Sequence, residues 1–136
     1  MSIIENVIRI NDNNTLSFGN YIVKEKQKVS DFKFDNDLYK CKTHNEVTRV
    51  EKNDYLIFES VPGSTVHNFM ANEDELTFSI EGHGDTKVTV ELVENEKYNI
   101  TIDGENLGVE KTNLSGKLSF SCDLLNTPID IVITKK

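Results

Sequence analysis

The sequence predicts an all-β chain, an immunoglobulin-like antiparallel β-sandwich with a small N-terminal β extension. Two observations predict it. Apolar side chains fall on alternate positions in almost every segment, as in Tyr98-Ile100-Ile102, Leu118-Phe120-Cys122 and Ile129-Ile131-Ile133. Alternation of this kind marks strands with one buried and one wet face. Turn chemistry separates these stretches at short intervals, notably Asp103-Gly104 and Asn113-Leu114-Ser115-Gly116, because Gly and Asn accept backbone angles closed to most residues.

Taken in order, Ile3 to Ile10 carries apolar residues at helical spacing but is rich in β-branched side chains, so it reads as a short helix or an edge strand. Asn11 to Asn14 is a turn, and Leu16 to Val23 a strand broken at Gly19-Asn20. Lys24 to Lys28 is a charged connection. In Val29 to Thr43, Phe32 and Phe34 share one face, and Tyr39, Cys41 and Thr43 share another, with Asp35-Asn36-Asp37 turning between them. Val47 to Glu51 is a further strand. Tyr55-Leu56-Ile57-Phe58 is apolar throughout, as expected of a strand covered on both faces.

Pro62-Gly63 is the single Pro-Gly pair and the natural boundary. It divides an N-terminal β subdomain, residues 1–63, from a sandwich over residues 64–136, unless the whole is one continuous domain. Strands are expected near 65–71, 76–81, 86–93, 97–102, 107–111, 117–123 and 129–134, the number and spacing of a small sandwich.

Bulk composition narrows the function. Asp and Glu outnumber Lys and Arg by 23 to 15, for a net charge of −8. Nucleic acid is therefore excluded as a partner, since its binding leans on cationic side chains that release counterions. No stretch approaches the roughly 20 apolar residues of a membrane-spanning helix, and no membrane partner is expected. The first residues, Met1-Ser2-Ile3-Ile4-Glu5, lack the basic and apolar regions of a secretory signal, so a cytoplasmic location is expected. Cys41 and Cys122 are then expected as free thiols.

Candidate chemistry is sparse, and no catalytic residue or cofactor is assigned. The three histidines, His44, His67 and His83, show no metal-ligand spacing. Gly82-His83-Gly84-Asp85 places an imidazole and a carboxylate on one loop, and Asp103-Gly104-Glu105-Asn106 resembles part of a calcium loop without its ligand series. His83, Asp85, Asp103 and Glu105 are the metal candidates, each also readable as an ordinary turn residue. Tyr21 and Tyr55 are the aromatics expected to be exposed.

Leu16-Ser17-Phe18-Gly19-Asn20-Tyr21, Asp37-Leu38-Tyr39-Lys40-Cys41-Lys42-Thr43, Glu59-Ser60-Val61-Pro62-Gly63-Ser64 and Lys111-Thr112-Asn113-Leu114-Ser115-Gly116-Lys117-Leu118-Ser119 together resemble a group of short, uncharacterised proteins from anaerobic Firmicutes that are often labelled endosialidase. The resemblance covers nearly the whole chain and implies a carbohydrate-related role. Residues 97–134 are also similar to the terminal sandwich modules of polysaccharide-processing enzymes, which are mostly noncatalytic. The residues themselves point elsewhere. Binding a sialic-acid carboxylate calls for clustered cations, and the two arginines, Arg9 and Arg49, are far apart. The expected function is a noncatalytic sandwich working through protein–protein contacts or self-assembly. The alternative is a carbohydrate-related protein, either a sugar-binding module or an endosialidase-like hydrolase.

Overall fold

The computed structural model describes residues 7–136, and within them the chain is all-β. Thirteen strands follow one another: β1 (Ile8–Ile10), β2 (Leu16–Phe18), β3 (Gln27–Phe34), β4 (Asp37–Thr43), β5 (Thr48–Lys52), β6 (Tyr55–Val61), β7 (Ser64–Ala71), β8 (Glu75–Gly82), β9 (Gly84–Glu91), β10 (Lys97–Ile102), β11 (Glu105–Lys111), β12 (Lys117–Leu124) and β13 (Ile129–Lys135). Every strand pairing is antiparallel. One sheet has seven strands in the order β1-β2-β7-β8-β13-β10-β11, and the other has six in the order β12-β9-β6-β5-β4-β3. They pack face to face, as in an immunoglobulin-like sandwich. No helix of the described residues is long and apolar enough to cross a membrane.

The alternating residues explain the packing. Leu76, Phe78 and Ile80 of β8, Val88 and Val90 of β9, and Leu118, Phe120 and Leu124 of β12 are all buried in one core. At its centre Phe58 of β6 meets Phe18, Phe69 and Phe78 edge-on, with ring centroids 5.2, 6.2 and 5.8 Å away. Each such pair contributes about 0.5–1.5 kcal/mol beyond area burial. These contacts set β6 across from β7, with β2 and β8 to either side.

The stretch before Gly63 supplies β3, β4, β5 and β6 of the six-stranded sheet, and β1 and β2 of the other. Since β2 pairs with β7 and β6 with β9, both sheets are built from strands on either side of Gly63. The Pro62-Gly63 step, with a cis Val61–Pro62 bond, turns the chain from one sheet into the other. Gly63 is required there by space, because a Cβ would run into the His44 carbonyl.

Local expectations met different fates. Ile8–Ile10 is a strand, while residues 3–6 of that expected element lie outside the described residues. The strand expected up to Val23 ends at Phe18. The four-residue apolar run in β6 is covered on one face only. Tyr55 is 70% exposed, because β6 sits inside a two-layer sandwich whose outer face meets water. Tyr21 corrects the expectation of exposure in the opposite direction: it is 1% exposed.

A buried hydroxyl layer ties the two sheets at the corner made by residues 60–64. Thr48 Oγ1 donates to the Ser64 carbonyl at 2.8 Å and accepts from the Ser64 N–H at 3.0 Å. Thr43 Oγ1 lies 2.8 Å from Thr48 Oγ1, and the Asn20 N–H donates to Thr43 Oγ1 at 2.9 Å. Ser60 and Ser64 share a 2.6 Å hydroxyl bond. Thr48→Val keeps the shape but strips Ser64 and Thr43 of partners, and unsatisfied buried groups of this kind cost about 1–3 kcal/mol. Urea unfolding is expected to show that loss as a lower midpoint with an unchanged m-value.

Candidate functional site

Sheet edges are where a sandwich exposes unpaired backbone donors and acceptors, and native proteins protect them. Four strands stand at edges here: β1, β11, β3 and β12. β1 has three residues. β3 is bulged: its register against β4 shifts between Val29 and Phe32, with Asp31 at φ 56°. β11 is bulged as well. Gly108 opposes Ile100 and Asn106 opposes Thr101, leaving Leu107 as the extra residue beside Gly108 at φ 125°. Extra residues of this kind twist an edge away from further pairing. β12 has no such device. Its register with β9 runs unbroken from Lys117↔Glu91 to Leu124↔Gly84.

The free side of β12 borders a concavity of about 390 Å³. β12 reaches β8 of the other sheet where Leu124 lies beside Gly82, and β13, β10 and β11 follow in order beyond β8. The β10–β11 hairpin therefore projects past β12. Ile102, Glu105, Asn106 and Leu107 of the hairpin, Cys122 and Asp123 of β12, and Ile129 of β13 line the space, with no residue from β9. Leu107 remains 55% exposed. The lining combines an apolar floor with two carboxylates and contains no Lys or Arg.

Asp85 adds to this acidity, standing opposite Asp123 in the β9–β12 ladder. Cys122 registers the field: burial, then the charges of Asp85 and Asp123, push its thiol up to about 11. Of the residues singled out from sequence, Glu105 lines the groove and Asp103 forms the hairpin turn beside it at φ 51°. Asp85 lies on the neighbouring strand, while His83 turns away to pack edge-on against Tyr21, with ring centroids 4.7 Å apart. Among the described residues no group of three or more His, Cys, Asp or Glu is arranged to hold a metal ion.

Two other places bear chemistry. Glu81, on β8, is fully buried, with its carboxylate 2.8 Å from His67 Nε2 of β7 and 3.4 Å from the Tyr21 hydroxyl. Burial, then Glu81, raises the Tyr21 pKa. Alternation sends Glu81 to the outer face of its sheet, and the segment carrying Tyr21 covers it there. The cluster is internally satisfied and closed, which suits it to pinning that segment.

The second is a cleft of about 500 Å³ between the sheets at the end opposite the Pro62-Gly63 corner. Phe34, Tyr39, Ile57 and Phe69 form its floor, and Asn13, Asn14, Asp35 and Asp37 stand at its rim. A hydrogen bond from Asn53 Nδ2, at 2.8 Å, is the main cause holding the Asp37 pKa below its ordinary value, with Lys52 assisting at 3.5 Å. The Tyr39 hydroxyl is pushed up to about 12 by burial and by the charges of Asp37 and Asp35. Neither arginine lines the groove or the cleft: Arg9 bonds Asn11, and Arg49 lies between Glu51 and Glu59. Comparison with protein families, curated proteins and solved structures found no match.

The thiols and Tyr39 define the alkaline limit of the fold. Cys41 is pushed up to about 12 and Cys122 to about 11 against an ordinary thiol value of 9.0, and Tyr39 to about 12 against 10.0. Above the ordinary values the unfolded chain has released protons that the folded chain keeps, so stability falls as pH rises. The contribution is complete below about pH 9 and is lost progressively toward about pH 12. Urea midpoints are expected to drop through this range, and disulfide exchange with an aromatic disulfide reagent to be slow for the folded protein at neutral pH.

Proposed function

We propose that this protein is a noncatalytic β-sandwich that acts through protein–protein contact, by accepting an extended strand of a partner along the free edge of β12. The observation that carries the reading is the contrast among the four edges. Three are short or bulged, and the fourth is eight residues long, regular and bordered by a groove. Strand addition supplies main-chain hydrogen bonds for affinity and side-chain pockets for specificity. The six-stranded sheet has room for one more strand beneath the projecting hairpin, and its addition would give two sheets of equal number.

The aromatic-floored cleft supports the second reading, a sugar-binding module. Asn13, Asn14 and Asp35 offer donors and acceptors above apolar rings, a combination that suits a neutral sugar. The carboxylate rim favours a neutral sugar over an anionic one such as sialic acid.

Complexes isolated from extract of the source cells should show slowed amide hydrogen exchange at Lys117–Leu124 relative to the free protein. Protection confined to other segments overturns strand addition at β12. Incubation with polysialic acid and aryl sialosides is expected to give no turnover above a heat-treated control, and turnover would overturn the noncatalytic reading. Glycan-array binding abolished by Asp35→Asn and untouched by changes at β12 would favour the sugar-binding module.

A further inference from the structure

We infer that the occupant of the β12 groove is a cationic, alternating apolar–polar segment of a different protein, not a second copy of this chain; the inference rests on the strand-addition reading above. Two features of the groove carry it.

The first is charge. A strand added to β12 places its outward side chains beside Asp123, with Asp85 one strand further in. Its inward side chains pass beneath Ile102 and Leu107 and reach Glu105. Opposite charges on neighbouring strands stabilise pairing and like charges oppose it. On the outer face Lys117 is already held by Glu91 at 2.6 Å and the Leu56 carbonyl at 3.1 Å, and Lys87 of β9 stands opposite Ser121, whereas the groove lining itself carries Glu105 and Asp123 and no Lys or Arg. The free electrostatic demand of the groove is therefore for Lys or Arg, and its floor takes an apolar side chain at alternate positions.

The second is steric. Two copies joined edge to edge at β12 would be related by a twofold axis normal to the merged sheet. Both seven-stranded sheets would then lie on the same side of it. The two projecting β10–β11 hairpins would meet over the joint, where each needs the space of the other. A single strand has no such hairpin and fits beneath one. The net charge of −8 adds repulsion between copies and attraction for a basic partner.

The test is selection of dodecapeptides from an unbiased phage-displayed library on the full chain, followed by hydrogen exchange and fluorescence anisotropy with the enriched peptides. The expected peptides alternate apolar and polar residues, carry more Lys and Arg than Asp and Glu, and protect Lys117–Leu124 from exchange. Asp123→Lys and Glu105→Lys are expected to weaken binding about tenfold or more. Glu46→Lys, an equal charge change at an exposed turn away from the groove, should leave it within about twofold. All three sites are exposed, and unchanged urea midpoints confirm intact folding. Neutral or acidic peptides that protect the same strand overturn the cationic partner and leave strand addition standing. An absence of enriched peptides, or protection confined elsewhere, overturns both. A concentration-dependent dimer that protects Lys117–Leu124 without peptide overturns the exclusion of a second copy.

Discussion

The edge-on contacts of Phe58 with Phe18, Phe69 and Phe78 decide more than the stability of the core. They fix which strand of one sheet lies across from which strand of the other. With β6 held against β7, the larger sheet extends beyond β12 on one side and the smaller sheet extends beyond β1 on the other. The groove proposed as the binding site is thus a consequence of how aromatic rings dock at the centre of the sandwich. A close-packed interior resists sliding by even a fraction of a strand spacing.

Polar groups then hold the ends. The chain crosses between sheets several times, and each crossing carries backbone donors and acceptors through the interior. At the Pro62-Gly63 corner the hydroxyls of Thr43, Thr48, Ser60 and Ser64 answer them. Around Tyr21 the answer is a side-chain cluster: Glu81 is buried yet bonded to His67 and Tyr21. Among the described residues no buried side-chain oxygen or nitrogen is left without a partner. Buried polar clusters this complete specify one arrangement of the chain, since any slip would leave a donor or acceptor stranded. They also account for why the most conspicuous carboxylate in the molecule is placed for architecture and not for contact with a ligand.

Acidity is distributed differently from burial. Asp85, Asp103, Glu105 and Asp123 gather around the groove, on the hairpin turn and strand and on the paired strands β9 and β12. Asp35 and Asp37 gather at the other end of the sandwich. Both concavities are therefore negative, and both disfavour anionic ligands. Arg9 and Arg49 stand apart from both concavities and supply no cationic cradle there.

The alternation of apolar residues determined, unaided, that the described residues form an all-β fold and which side chains of the regular strands face inward. Period-two patterning is a local property, and Leu118, Phe120 and Cys122 turn inward whichever strand they pair with. Asp103-Gly104 and Asn113–Gly116 likewise marked real turns, because positive backbone angles are demanded locally and few residues supply them. Pairing order and the facing of the sheets came only from tertiary structure. Nothing local says that β6 hydrogen-bonds β9 across the Pro62-Gly63 step, or that β12 is left at an edge. The same is true of Tyr21, whose burial depends on the segment around it folding over Glu81. Glu105 was visible in the sequence as a turn carboxylate. Its place in a groove came only from the tertiary structure, where Leu107 bulges out of β11 and the hairpin lines one concavity with Cys122 and Asp123, because a groove exists between strands that are distant in the chain.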